Sequence, residues 1–140
     1  MPTSKLSQYA NVQALEAAFR KTQSPAAGNL WIALLTATPT DTNLTMAAVT
    51  EYGATGYARQ VFGPGSATAA EPSVISNAGV ITFGPMTAGT GATVTHIAVC
   101  DAVSGTSANI IATAALTASR TPAVGDSLQA AAAALTFSNN

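Results

Sequence analysis

Apolar residues recur at steps of three and four near the start of the chain, at Leu6, Tyr9, Val12, Leu15 and Phe19. That spacing predicts one stripe of an amphipathic α-helix over residues 4–22, with Lys5, Gln8, Gln13, Glu16 and Arg20 falling mostly elsewhere. Thr3 or Ser4 can cap its start, Arg20 and Lys21 suit the negative end of the helix dipole, and Ser24-Pro25 stops it. The texture then changes. Leu30-Trp31-Ile32-Ala33-Leu34-Leu35 reads as a strand buried on both faces, with Trp31 in the core, and it ends at Thr38-Pro39-Thr40-Asp41. Leu44 to Tyr52 holds a candidate helical turn, and Tyr57 to Phe62 reads as a strand closed by Gly63-Pro64-Gly65. Ser73–Ser76 and Val80–Phe83 flank Asn77-Ala78-Gly79, a short-turn signal for a hairpin.

Farther on, Thr93 to Asp101 alternates, placing Ile97 and Val99 on one face and Val94, His96, Ala98 and Cys100 on the other. Ser104-Gly105 turns the chain into a strand over Asn109–Ala115, and a last strand is expected around Ala132–Phe137. Short strands at intervals of about 8–12 residues predict a mainly β fold. The expectation is an antiparallel β-sandwich or barrel-like domain with one N-terminal α-helix. Residues 1–24 would form a helical anchor and residues 25–140 the β domain of a single compact unit.

Composition sharpens this picture. The hydrophobic fraction is 48% and the charged fraction only 8%, so the chain has the apolar content to fold. Much of that content is alanine and aromatics reach only 6%, so the core is adequate but not rich. Such a domain gains from burying surface against copies of itself or a larger partner. The net charge is −1 with no basic stripe, which argues against nucleic acid as a partner. The apolar runs fall far short of the about 20 residues of a membrane span, so no membrane partner is expected. Met1-Pro2-Thr3-Ser4-Lys5 lacks the apolar block of a secretory signal, and the chain is expected to be made and used without export by that route.

The chemistry-bearing residues are few. His96 and Cys100 each occur once, so a two-histidine metal site within one chain is ruled out, and neither a metal nor a cofactor is expected. As base and nucleophile these two would stand roughly 13 Å apart along a strand, too far to act as a pair. Cys100 fits better as a small buried hydrophobe, and His96 as an interface or partly buried strand residue. Glu16, Asp41, Glu51, Glu71, Asp101 and Asp126 are scattered, and turn-capping accounts for Asp41 and Asp126. Gly84 to Gly91 matches no phosphate-loop pattern and is expected to be an exposed loop. No catalytic residue is expected. The candidate interface residues are Leu6, Tyr9, Leu15 and Phe19 on the helix, with Tyr57 and Arg59. The helix either packs on its own sheet or reaches a neighbouring subunit. Arg59 either anchors an interface, stacks on a ring or is an ordinary edge-strand charge.

Taken in order, several segments resemble a known pattern. They are Leu30-Trp31-Ile32-Ala33-Leu34-Leu35 with Thr36-Ala37-Thr38-Pro39-Thr40-Asp41, Glu51-Tyr52, and Gly56-Tyr57-Ala58-Arg59-Gln60. Ser76-Asn77, Ile81-Thr82-Phe83, Val94-Thr95-His96-Ile97-Ala98-Val99-Cys100-Asp101-Ala102, Val124-Gly125-Asp126 and Ala133-Ala134-Leu135 complete it. In these the chain resembles a family of small tailed-bacteriophage virion proteins that carry tail-fibre and head-decoration labels. Cys100 departs from it, standing where an aromatic or aliphatic residue is more usual. The resemblance implies a structural role in the virion and no catalysis. The leading expectation is a capsid decoration (cement) protein on the capsid exterior, its partners the major capsid protein and copies of itself as a trimer. The alternative is a tail-tip or fibre-head domain that contacts the host receptor. A small glycan hydrolase is disfavoured by the scattered carboxylates.

Overall fold

The computed structural model describes residues 4–20, 29–65, 67–68, 73–89 and 91–138. Its centre is β2 (Leu30–Leu35), which pairs antiparallel with β3 (Gln60–Phe62) on one side and β6 (Val94–Cys100) on the other. β6 in turn pairs with β7 (Ile110–Arg120), and β7 with β1 (Ser4–Leu6), giving a five-stranded antiparallel sheet in the order β1-β7-β6-β2-β3. Two antiparallel ribbons complete the β structure: β4 (Val74–Ser76) with β9 (Thr136–Ser138), and β5 (Ile81–Phe83) with β8 (Leu128–Ala130). The chain is thus mainly β with one α-helix near its N-terminus, and the sheets stay open, without a closed barrel among the described residues.

Alternation along β2 sorts the core into two layers. Ile32 and Leu34 face a large cluster with Ile97, Val99, Ala112 and Ala114, closed by Phe83 of the ribbons and by Phe62, whose ring meets Phe137 edge-on. Ala33 and Leu35 face a smaller cluster with Met46, Ala98, Cys100 and Ile110. Met46 belongs to a 3-10 turn, Met46–Ala48, where a helical turn was expected. Trp31 is only half-buried, at the edge of this second layer. Strict alternation put Val94 on the face of His96. Irregular pairing between Val94 and His96 instead carries Val94 into the large cluster with Ile97 and Val99.

Several boundaries differ from the sequence expectation. Residues 4–6 pair with β7, so Leu6 is a strand residue half-buried against the large cluster, and the expected anchor segment contributes a strand to the sheet. The helix α1 spans Gln8–Arg20, and Ser7 caps it: Ala10 N–H donates to Ser7 Oγ at 3.1 Å. The Ser7 hydroxyl donates to the Ile110 carbonyl and its N–H to Ile111 O at 2.9 Å, tying the helix start to β7. Ser73–Ser76 and Val80–Phe83 do not form a hairpin, because β4 takes β9 and β5 takes β8. Buried Asn77 between them is a hub: its Nδ2 donates to Gly79 O and Ala131 O, and its Oδ1 accepts from Leu135 N–H. The strand expected over Ala132–Phe137 is a turn through residues 131–135 that leads into β9. Gly84 to Gly91 is not simply an exposed loop, since Met86 is fully buried and its N–H donates to Asp126 O at 2.8 Å. Thr3, Lys21, Ser24-Pro25 and Glu71 lie outside the described residues.

Candidate interaction surfaces

Tyr57 and Arg59 sit two residues apart on an extended segment, which directs both toward Glu51. The carboxylate accepts from Tyr57 Oη at 2.8 Å and from Arg59 Nε and Nη2 at 2.8 and 2.7 Å, a bidentate pair. The remaining Arg59 donors reach Ala102 O at 3.0 Å and Gly105 O at 2.8 Å. Arg59 is only 6% exposed, so its charge acts within this chain. Of the alternatives posed for it, neither stacking nor an exposed edge charge describes the geometry; it pins the 101–109 loop from beneath. That loop is also closed by Asp101, whose two carboxylate oxygens accept from Asn109 N and Nδ2 at 2.7 Å each. Val103 to Ser107 stand exposed above this base.

Electrostatics agree with the geometry. Burial pushes the Tyr57 phenol far above its ordinary value, and the neighbouring Glu51 carboxylate adds to this, although the Leu34 N–H that it accepts pulls the other way. Tyr57 therefore remains a protonated donor. The hydrogen bonds that Arg59 donates to Glu51 raise its guanidinium above the ordinary value, against the opposing effect of burial. Burial raises the Cys100 thiol, with Arg59 opposing, and keeps it an unreactive thiol in the second core layer. Half-buried His96 is lowered by burial, so its ring is neutral near pH 7, and its Nδ1 lies 2.8 Å from Thr95 Oγ1. It lines a shallow hollow of about 220 Å³ with Thr38, Pro39 and Asp41, and no bond joins it to Cys100. Asp126 accepts from Ala123 N–H at 2.9 Å, the turn-capping role expected of it. Among the described residues no three His, Cys, Asp or Glu side chains cluster as metal ligands, and no helix is long and apolar enough to cross a membrane.

Among the described residues, two further surfaces stand open. One is a cleft of about 440 Å³ between the outer half of β7 and the β8–β9 region, floored by Leu34, Phe83 and Ile97 and walled by alanines. The other is α1. Its half-buried side is formed by Tyr9, Ala10 and Gln13, whereas Val12, Leu15 and Phe19 are 49%, 60% and 82% exposed. The structure thus separates the six candidate interface residues. Leu6, Tyr9 and Tyr57 are partly covered, Arg59 is internal, and Leu15 and Phe19 face outward. The roles of Glu51, Asn77 and Asn109 were missed. Only for Glu51 did the sequence carry a signal, in the paired Tyr57 and Arg59 at strand spacing.

No curated protein matches the chain. A family model does: the one described as podophage GP4 fiber I protein gp80 aligns with residues 5–138, which takes in α1 and every strand from β2 to β9. The chain therefore belongs to that family of small tailed-phage virion proteins, and it is a structural protein of the phage particle.

Proposed function

We propose that this chain is a fibre-associated subunit of the virion that works by binding to other virion proteins and not by catalysis. The family match over residues 5–138 carries this reading, because the family description names a fibre protein. It reverses the order of the two sequence-based expectations, in which capsid decoration stood first. The described chemistry supports a binding role: Glu51 is engaged by Arg59 and Tyr57, Asp101 by Asn109, and Cys100 is buried. Bound copies would stabilise the assembled particle by mass action, adding contact free energy to the assembly and none to its separated parts.

Capsid decoration is retained as a second reading on one observation. The longest described element is the 11-residue β7, about 36 Å, and no repeating shaft is built from the described residues. In that reading the partner is the major capsid protein. Counting copies in purified particles by quantitative mass spectrometry, with gold-labelled imaging, separates the two. A handful of copies at the tail is the expected result, and hundreds over the head would replace it with decoration. Absence from the particle would overturn both. Glycan cleavage abolished by changing one carboxylate would overturn the non-catalytic role.

A further inference from the structure

We infer that the cleft beside β7 is a strand-addition site, where an extended segment of another virion protein pairs with the outer half of β7. That segment has apolar side chains at alternate positions and a carboxylate at one end. The inference rests on the virion-subunit reading above and deepens it by naming the chemistry of the partner and its mode of contact.

The register of β7 carries the inference. β7 runs for 11 residues, but on one side β1 pairs only with Ala112, Thr113 and Ala114. On the other side, His96 of β6 pairs with Ala115 and Val94 pairs next with Arg120. Residues Leu116–Ser119 therefore stand against the single residue Thr95 and have no register partner on either side. Leu116, Thr117 and Ala118 form one wall of the cleft, and β8, whose single strand neighbour among the described residues is β5, forms the other. Strands without a partner offer backbone donors and acceptors that an added strand satisfies.

β1 shows what this edge accepts. It is an extended segment laid antiparallel on β7, and it half-buries Leu6 against the large core cluster. The cleft opens where that pairing stops, because Ala114 is both a β1 partner and the first β7 residue of the cleft wall. Its floor of Leu34, Phe83 and Ile97 belongs to the same cluster that receives Leu6. A strand entering here continues the line of β1 and turns alternate side chains onto an apolar floor. The alanine walls leave room for those side chains within the volume of about 440 Å³.

Charge fixes one end of the partner. Arg120 lines the cleft at the end remote from β1, is exposed, and has no ion pair among the described residues. Glu51, Asp101 and Asp126 are engaged elsewhere, by Arg59, Asn109 and the Ala123 N–H. A carboxylate on the incoming strand complements Arg120, and on a strand antiparallel to β7 it lies at the N-terminal end.

The test uses the full-length chain, free and in purified particles. Amide exchange at Leu116–Ser119 should be fast in the free protein and slower by on the order of tenfold in the particle, where the added strand takes up these N–H groups. Ala118→Pro removes one N–H at an exposed position without a register partner, so the free variant should keep its β-type circular dichroism. Its copy number in particles should fall on the order of tenfold, whereas Ala118→Val, which keeps the N–H, should match the wild type. A photo-cross-linking residue at Thr117 should join the chain to an acidic-ended, alternating segment of a different virion protein. Should Ala118→Pro fail to fold, the exchange and cross-linking of the other chains still decide. Unchanged exchange in the particle, equal loss of both Ala118 variants, or cross-links only to a second copy or to residues 1–3 overturn the inference and leave the virion role standing. Absence of the wild-type chain from particles overturns the reading on which it rests.

Discussion

Glu51 and Tyr52 are adjacent, yet the structure gives them opposite dependence on their polar groups. Glu51 holds two donors of a guanidinium that is itself nearly sealed from water, so losing the carboxylate charge leaves Arg59 with an uncompensated buried charge. Glu51→Gln should lower stability by about 3 kcal/mol in urea unfolding, the low end for a buried pair because Glu51 keeps some solvent contact. It should also loosen the 101–109 loop, read as faster amide exchange there. Tyr52 is 1% exposed and its hydroxyl has no hydrogen-bond partner among the described residues, while its ring meets Tyr57 edge-on. Tyr52→Phe keeps the ring and removes the unmet polar group, so it should leave the unfolding midpoint unchanged or raise it. A clear loss of stability would mean that the hydroxyl has a partner.

At the scale of elements, pattern and period identified β2 and the alternating part of β6, because each is a continuous run whose residues are buried by its immediate neighbours. They did not identify strand partners. Asn77-Ala78-Gly79 is a sound turn signal, but local turn chemistry says nothing about which distant strand reaches each arm. That is decided by Asn77, which holds the 131–135 turn through two side-chain hydrogen bonds and its own turn, at Gly79 O, through a third. Asn77→Ala would leave the Leu135 N–H and two carbonyls without this partner, and should cost about 3 kcal/mol in thermal or denaturant unfolding. Equal stability of the variant would show that the β4–β9 and β5–β8 ribbons hold their register without the hub. The helix start moved for a related reason. Residues 4–6 gain ladder hydrogen bonds and half-bury Leu6 by joining β7, which leaves Ser7 as the cap.

For the molecule as a whole, a single histidine makes one component of the pH dependence traceable. Burial lowers His96 below its unfolded value of about 6.5, so the unfolded chain takes up the proton first as pH falls. The contribution of the neutral ring is complete above that value and declines as pH drops through the window between the unfolded and folded pKa. His96→Gln should flatten this window in a series of unfolding curves, leaving the carboxylate-dependent loss at lower pH. A window that persists in the variant would assign it to other groups.

From the sequence came the class of the molecule: strand-rich, poor in charge, with one N-terminal helix and no chemistry-bearing residues at short spacing. Periodicity and composition are local quantities, and local quantities suffice for that. Only the tertiary structure decided which way α1 faces, that Arg59 turns inward, and that Asn77 joins distant turns. Each of these depends on partners 43 to 103 residues away: Ala102 for Arg59, Leu135 for Asn77, and Ile110 for the Ser7 that starts α1. The stripe at Val12, Leu15 and Phe19 is visible in both, but a period gives only the stripe. Its direction is set by Ser7 and β1 docking on β7, and that docking leaves the apolar face pointing away from the chain's own core.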